Sequence, residues 1–163
     1  MIESNLLARL ALAVALSAGT LAAHAEQRVY LLAKLSIENT TFTEVVFFYD
    51  PEATTLDACE ADIVRGHRGQ WQYYGHYIRK FRGVATSVSY SCLTTDLAIS
   101  EWFPHQRYSH IYLIDRRSEQ TRIHPQANYA ECLSQLHETQ PTENRTYYCA
   151  KSNQEIGPPA PDA

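Results

Sequence analysis

Between Ile63 and Thr95 the chain carries Arg65, Arg68, Arg79, Lys80 and Arg82, with His67 and His76, and no carboxylate at all. Trp71, Tyr73, Tyr74 and Tyr77 are interleaved with them. Cations beside flat rings can hold an anionic polymer or a glycan, since the charge attracts and the ring stacks. The candidate binding set is therefore Arg65, Arg68, Trp71, Tyr73, Tyr74, His76, Tyr77, Arg79, Lys80 and Arg82. The preceding stretch is the reverse: Glu38, Glu44, Asp50, Glu52, Asp57, Glu60 and Asp62 occur with no Lys or Arg between Lys34 and Arg65. A second explanation of the same residues stays open, in which the aromatics serve a strand core and the acidic and basic stretches neutralise each other when packed. In a strand, Trp71, Tyr73 and Tyr77 would share one face and Tyr74 and His76 the other, so only one set can form an exposed platform.

Other chemistries find less in the sequence. His67, His76, His105, His110, His124 and His137 show no H-x-x-x-H pair or familiar ligand spacing, so no metal is expected. Ser109, His110 and Asp115 are the residue types of a hydrolase triad, but no G-x-S-x-G turn is present, and adjacent strand residues point to opposite faces. Glu101 beside Trp102 is a candidate general acid. A hydrolase would need a histidine such as His76, His105 or His110 brought to Glu101 or Asp96 by the fold. No phosphate loop or dinucleotide fingerprint occurs, so no cofactor is expected. The net charge of -4 excludes a general nucleic-acid binder.

These residues need a compartment and a scaffold. Residues 6 to 23 are almost continuously small and apolar and run into Ala23-His24-Ala25, which reads as a signal peptide over residues 1–25, cleaved after Ala25. About 138 residues remain, enough for one domain over residues 26–153, followed by a Pro-rich tail, 154–163, expected to be disordered. No other stretch is apolar enough to span a bilayer. The remaining four cysteines, in an exported chain without C-x-x-C, read as two structural disulfides.

Alternation predicts strands over Val29 to Ile37, Phe42 to Tyr49, Gln70 to Lys80, Val84 to Leu93, His110 to Arg116 and Thr146 to Lys151. In the fourth, Val84, Thr86, Val88, Tyr90 and Cys92 share one face and Ala85, Ser87, Ser89 and Ser91 the other. Thr54 or Thr55 can cap a helix burying Leu56, Cys59, Ile63 and Val64. Pro125 is expected to start a second helix burying Tyr129, Cys132, Leu133 and Leu136. Three matches suggest an internal duplication of a strand-helix-strand unit: Val46 to Asp50 with Ile111 to Asp115, Leu56/Cys59/Ile63 with Tyr129/Cys132/Leu136, and Tyr90-Ser91-Cys92 with Tyr147-Tyr148-Cys149. Of the three possible pairings of four cysteines, this favours Cys59 with Cys92 and Cys132 with Cys149. The expected fold is α+β, an antiparallel sheet with two helices packed on one face.

The resulting expectation is a small exported protein, periplasmic if bacterial, that binds an envelope protein or an anionic glycan or polymer without catalysis. A partner could be anchored by Trp71 or Trp102, and the binding could serve inhibition of, or immunity to, a secreted enzyme. The alternative is a hydrolase with a His and carboxylate site. Val29 to Ile37 and Thr146 to Lys151 are candidate edge strands, which leaves a homodimer open.

Overall fold

The computed structural model describes residues 27–65, 85–117, 120–139, 142 and 144–158. The first hairpin joins β1 (Arg28–Ile37) to β2 (Thr43–Tyr49). Its turn places Asn39 at φ 60°, a left-handed conformation that Asn tolerates. Thr40 Oγ1 secures it, donating to Ile37 O at 2.9 Å and accepting from Phe42 N at 3.1 Å. Helix α1 (Leu56–Val64) is capped by Thr55, whose hydroxyl accepts from Ala58 N at 3.2 Å. Strand β3 (Thr86–Thr95) then pairs antiparallel with the free side of β1.

The chain continues through the short β4 (Ala98–Ile99) into β5 (His110–Arg117) and β6 (Thr121–Gln126), an antiparallel pair. Helix α2 (Tyr129–Glu138) starts at Asn128, whose side chain accepts from Glu131 N at 2.9 Å. Strand β7 (Arg145–Ser152) pairs antiparallel with β5, and β8 (Ile156–Gly157) pairs with β4. The main sheet has the order β3-β1-β2-β7-β5-β6.

Its two outer strands meet. Thr94 and Gln120 form a parallel bridge, and Arg116 Nη1 donates to Ser91 Oγ at 2.8 Å, so the sheet curls into a barrel. Strand register separates the faces. Inside lie Tyr30, Leu32, Val45, Phe47, Leu93, Tyr112, Ile114, Ile123 and Ala150, with Ile156 of β8 closing one end. Outside, α1 covers Val29, Leu31 and Cys92, and α2 covers Leu113 and Cys149. Each helix is stapled to the strand beneath it, Cys59 to Cys92 and Cys132 to Cys149. Trp102 packs on Ala33, Leu35 and Val46 beside α1.

This is an α+β fold with two helices and two disulfides, but the sheet is mixed rather than antiparallel throughout, because β2 and β7 run parallel where Glu44 meets Lys151. Hairpin alternation governs only strands joined by tight turns, and these two are far apart in sequence. The match of Val46 to Asp50 with Ile111 to Asp115 also fails as a topological match, since β5 has pairing strands on both sides as β1 does, whereas β2 does not stand between a hairpin mate and the strand that follows its helix. Pro125 lies inside β6, opposite Tyr112, and the helix begins only at Tyr129. An outer strand tolerates the missing N–H. Neither β1 nor β7 is an edge, each being paired on both sides, so neither can receive a second molecule in the expected way.

The described chain continues past residue 153 through residue 158, into the stretch expected to be a tail. Gln154 is 1% exposed. Its side-chain amide accepts from Phe47 N at 2.7 Å and donates to Phe47 O at 2.8 Å and to Ser100 O at 2.7 Å. It thereby completes the hydrogen bonding of β2 beyond its bridge with β7. Tyr112 Oη locks the same segment, donating to Gln154 O and accepting from Ile156 N, both at 3.0 Å.

Two outcomes are expected. Replacing Cys132 and Cys149 by Ala should cost about 3 kcal/mol, and replacing Cys59 and Cys92 somewhat more because their loop is longer; chemical denaturation measures both, and non-reduced peptide mapping should recover those two pairs. Gln154→Ala should cost roughly 2–4 kcal/mol, because it strands buried backbone groups of Phe47, while Glu155→Ala, at an exposed neighbour, should move the urea midpoint little.

Candidate functional site

The ordered segment from Asn153 to Gly157 fixes the loop from Ala98 to Phe103. Ser100 N donates to Glu155 O and Glu155 N to Ser100 Oγ, each at 2.9 Å, and Asn153 Nδ2 donates to Phe103 O at 2.5 Å. Held in this way, the loop forms one wall of a cleft of about 810 Å³. The ends of β1 and β2 and the face of α1 form the others. Tyr30, Phe48, Tyr49, Asp50, Glu101 and Trp102 carry its chemistry, and Asp62 and Arg65 close the α1 side. That volume falls in the range of ligand-binding clefts.

The rings are held in fixed positions. Trp102 is buried, meets Phe48 edge-on at 5.4 Å between centroids, and donates from Nε1 to Tyr108 Oη at 3.1 Å. Tyr30 and Tyr49 lie 5.5 Å apart, with the Arg28 guanidinium over Tyr49. Burial pushes the Tyr30 phenol up, against a lowering by Arg28, so it stays a neutral hydroxyl. The described residues include three exposed large hydrophobics, Tyr49, Val64 and Phe103. Of these, Tyr49 is a wall of the cleft.

Its charge is acidic. Arg65, the C-cap of α1, is already ion-paired with Asp62. Asp50 uses Oδ1 to accept from Glu52 N at 2.9 Å, and neither Asp50 nor Glu101 has a cationic partner among the described residues.

Of the ten binding residues expected from the sequence, only Arg65 falls within the described part, on the cleft wall. Arg68, Trp71, Tyr73, Tyr74, His76, Tyr77, Arg79, Lys80 and Arg82 lie outside the described residues. Trp102 supports the cleft from within rather than offering an exposed anchor. The triad types do not assemble: Ser109 and His110 are exposed, whereas Asp115 is buried and pairs with Arg145 through two bonds of 2.7 and 2.5 Å. Neither His105 nor His110 has a carboxylate partner, and no three potential ligands converge on a metal site among the described residues. Sequence reading missed Tyr49 and Asp50 as cleft residues. The one local signal was Asp50-Pro51 ending a strand rich in aromatics, which marks a turn and not a cleft.

No family model, no curated protein and no solved structure matches this chain.

The Asp115 pair makes a pH prediction. The hydrogen bond from Arg145 lowers the Asp115 carboxyl, and burial only partly opposes this. A carboxyl lowered on folding contributes stability above its unfolded value, near 3.9, and loses that contribution as pH falls through the depressed folded value. Asp115→Asn should therefore lower the urea midpoint at pH 7 and flatten its dependence on pH below about 4; a variant with the wild-type slope would show that another carboxyl dominates.

Proposed function

We propose that this chain is an exported, non-enzymatic binding or accessory protein whose cleft receives a segment of a partner polypeptide carrying a basic side chain beside an apolar one. The observation that carries this reading is the exposed Tyr49 ring on the wall of a cleft that also holds Asp50 and Glu101, neither of which has a cationic partner among the described residues. Clefts lined by apolar groups with a few placed polar ones are where ligand segments bind. Rings held in place by Trp102 and Arg28 lose little entropy on binding, so they suit the anchoring centre of an interface. Inhibition of, or immunity to, a secreted enzyme would use the same cleft. Export rests on the signal-peptide pattern over residues 1–25 together with two disulfides, which persist in oxidising compartments.

The duplication belongs to the same reading, with strand-strand-helix-strand as the repeated unit. Leu31 pairs with Phe48 and Cys92; Leu113 pairs with His124 and Cys149. Carried along the strands, that correspondence sets the parallel bridge of Glu44 with Lys151 against the parallel bridge of Gln120 with Thr94. Cys59 Sγ lies 3.9 Å from Tyr30 O, and Cys132 Sγ 3.6 Å from Tyr112 O. Val29-Tyr30-Leu31-Leu32 then corresponds to Ile111-Tyr112-Leu113-Ile114.

Selection of displayed random peptides on the immobilised mature protein tests the cleft. Enriched sequences should pair Arg or Lys with an apolar residue, bind at least tenfold more weakly to Tyr49→Ala, and lose affinity only modestly with salt. Peptides indifferent to that substitution would reject the cleft. Retention on heparin, released at low salt, would favour the anionic-polymer reading of the basic stretch from Arg65 to Arg82.

A further inference from the structure

The inner face of the barrel changes character along its length. The end near Tyr30, Tyr112 and Ile156 is apolar and closed. Toward the other end the same inner positions become Lys34 on β1, Ser91 and Ser89 on β3, Arg116 on β5, Thr121 on β6 and Tyr148 on β7, by the registers that pair Lys34 with Ser89 and Arg116 with Thr121. Ser89 is exposed and Ser91 partly so, so this end opens to water. The alternation that leaves Ser87, Ser89 and Ser91 on one side of β3 thus lines the opening with hydroxyls.

Two cations face this space, with no carboxylate among the described residues facing it. The Lys34 ammonium sits 4.2 Å from the centroid of the Tyr148 ring, and Arg116 is held by Ser91. Neither forms an ion pair with a described residue. Burial, and after it the Arg116 charge, lowers Lys34 from its ordinary value, so the two cations disfavour each other. Thr121, 2% exposed and directly opposite Arg116, has a buried hydroxyl with no hydrogen-bond partner. A fold that brings two cations together, and leaves a buried hydroxyl idle beside them, has donors in place for an acceptor that the described residues do not supply.

We propose that this end of the barrel is a binding site for a small oxyanion, held between Lys34 and Arg116 with the hydroxyls of Ser91, Thr121 and Tyr148. The groups at the site are well matched to such a ligand. A guanidinium offers forked donors to a carboxylate or phosphate, an ammonium adds a point charge, and hydroxyls complete the shell. Burial keeps Tyr148 protonated, well above the usual phenol range, so it acts as a donor rather than a competing anion. The site lies at the end of the barrel opposite the cleft and does not depend on the reading given for the cleft.

The test is thermal unfolding and titration calorimetry of the full mature protein with inorganic phosphate and, separately, acetate, against sodium chloride at equal ionic strength. A ligand that binds only the folded state raises its melting temperature with concentration. At least one of the two anions should do so in the wild type, and which one identifies the oxyanion as phosphate or carboxylate. Lys34→Met and Arg116→Gln should each weaken that binding at least tenfold, whereas Arg122→Gln, at an exposed position on the outer face, should leave it unchanged. Without added anion, Lys34→Met should melt at or above the wild-type temperature, since it removes one of two mutually repelling cations; this keeps the test valid if Arg116→Gln does not fold. A wild type that responds to neither anion beyond chloride, or a Lys34→Met variant that responds as the wild type does, would overturn the proposal.

Discussion

One side-chain amide holds the working parts of this fold together. Strand β2 touches β7 at a single bridge, so beyond it the outward N–H and C=O of Phe47 would be buried without partners. Gln154 supplies both, as a short piece of strand would, and gives its remaining N–H to Ser100. Backbone polar groups removed from water must be paired, and no apolar residue could meet this need. The same contact anchors the loop that carries Glu101, Trp102 and Phe103, so the ladder of the sheet and the wall of the cleft depend on one residue.

Around that point the barrel divides its tasks by face. The inner face packs Leu32, Val45, Phe47, Leu93 and Ile114, while the outer face takes two helices, each bonded covalently to the strand under it. Short helices of nine and ten residues are marginal by themselves. A disulfide from the buried side of each, together with a Thr or Asn cap, holds them where packing area alone is small. Among the described residues the cleft is lined by Asp50, Asp62 and Glu101, and the opposite mouth by Lys34 and Arg116.

Much of this was legible before the structure. The long strands expected over Val29 to Ile37, Phe42 to Tyr49, Val84 to Leu93, His110 to Arg116 and Thr146 to Lys151 stand within a few residues of those bounds, because one face of each is buried and alternation is a direct record of that burial, whereas the strand expected over Gln70 to Lys80 lies outside the described residues. Cys59 with Cys92 and Cys132 with Cys149 followed from the matched positions of cysteine on helix and strand. The misreadings have physical causes as well. Pro125 resembles a helix start, yet an outer strand accepts it equally well. Val46-Phe47-Phe48-Tyr49 and Ile111-Tyr112-Leu113-Ile114 are alike because both strands are buried on two faces, a likeness of environment and not of position. Gln154 stands next to a Pro-rich end and reads as part of it, since nothing local distinguishes a solvated amide from a buried one.

The sequence by itself determined the local terms: which segments alternate, which residues cap, where the cysteines stand on their elements, and where charge of each sign is concentrated. These depend on neighbours a few positions away, which is why they can be read from spacing. The tertiary structure alone decided the parallel junction of β2 with β7, the closure of β3 on β6, the capture of Phe47 by a residue 107 positions away, and the meeting of Lys34 with Arg116. Each joins groups distant in the chain, whose approach is set by how the whole barrel packs and by no pattern within either segment.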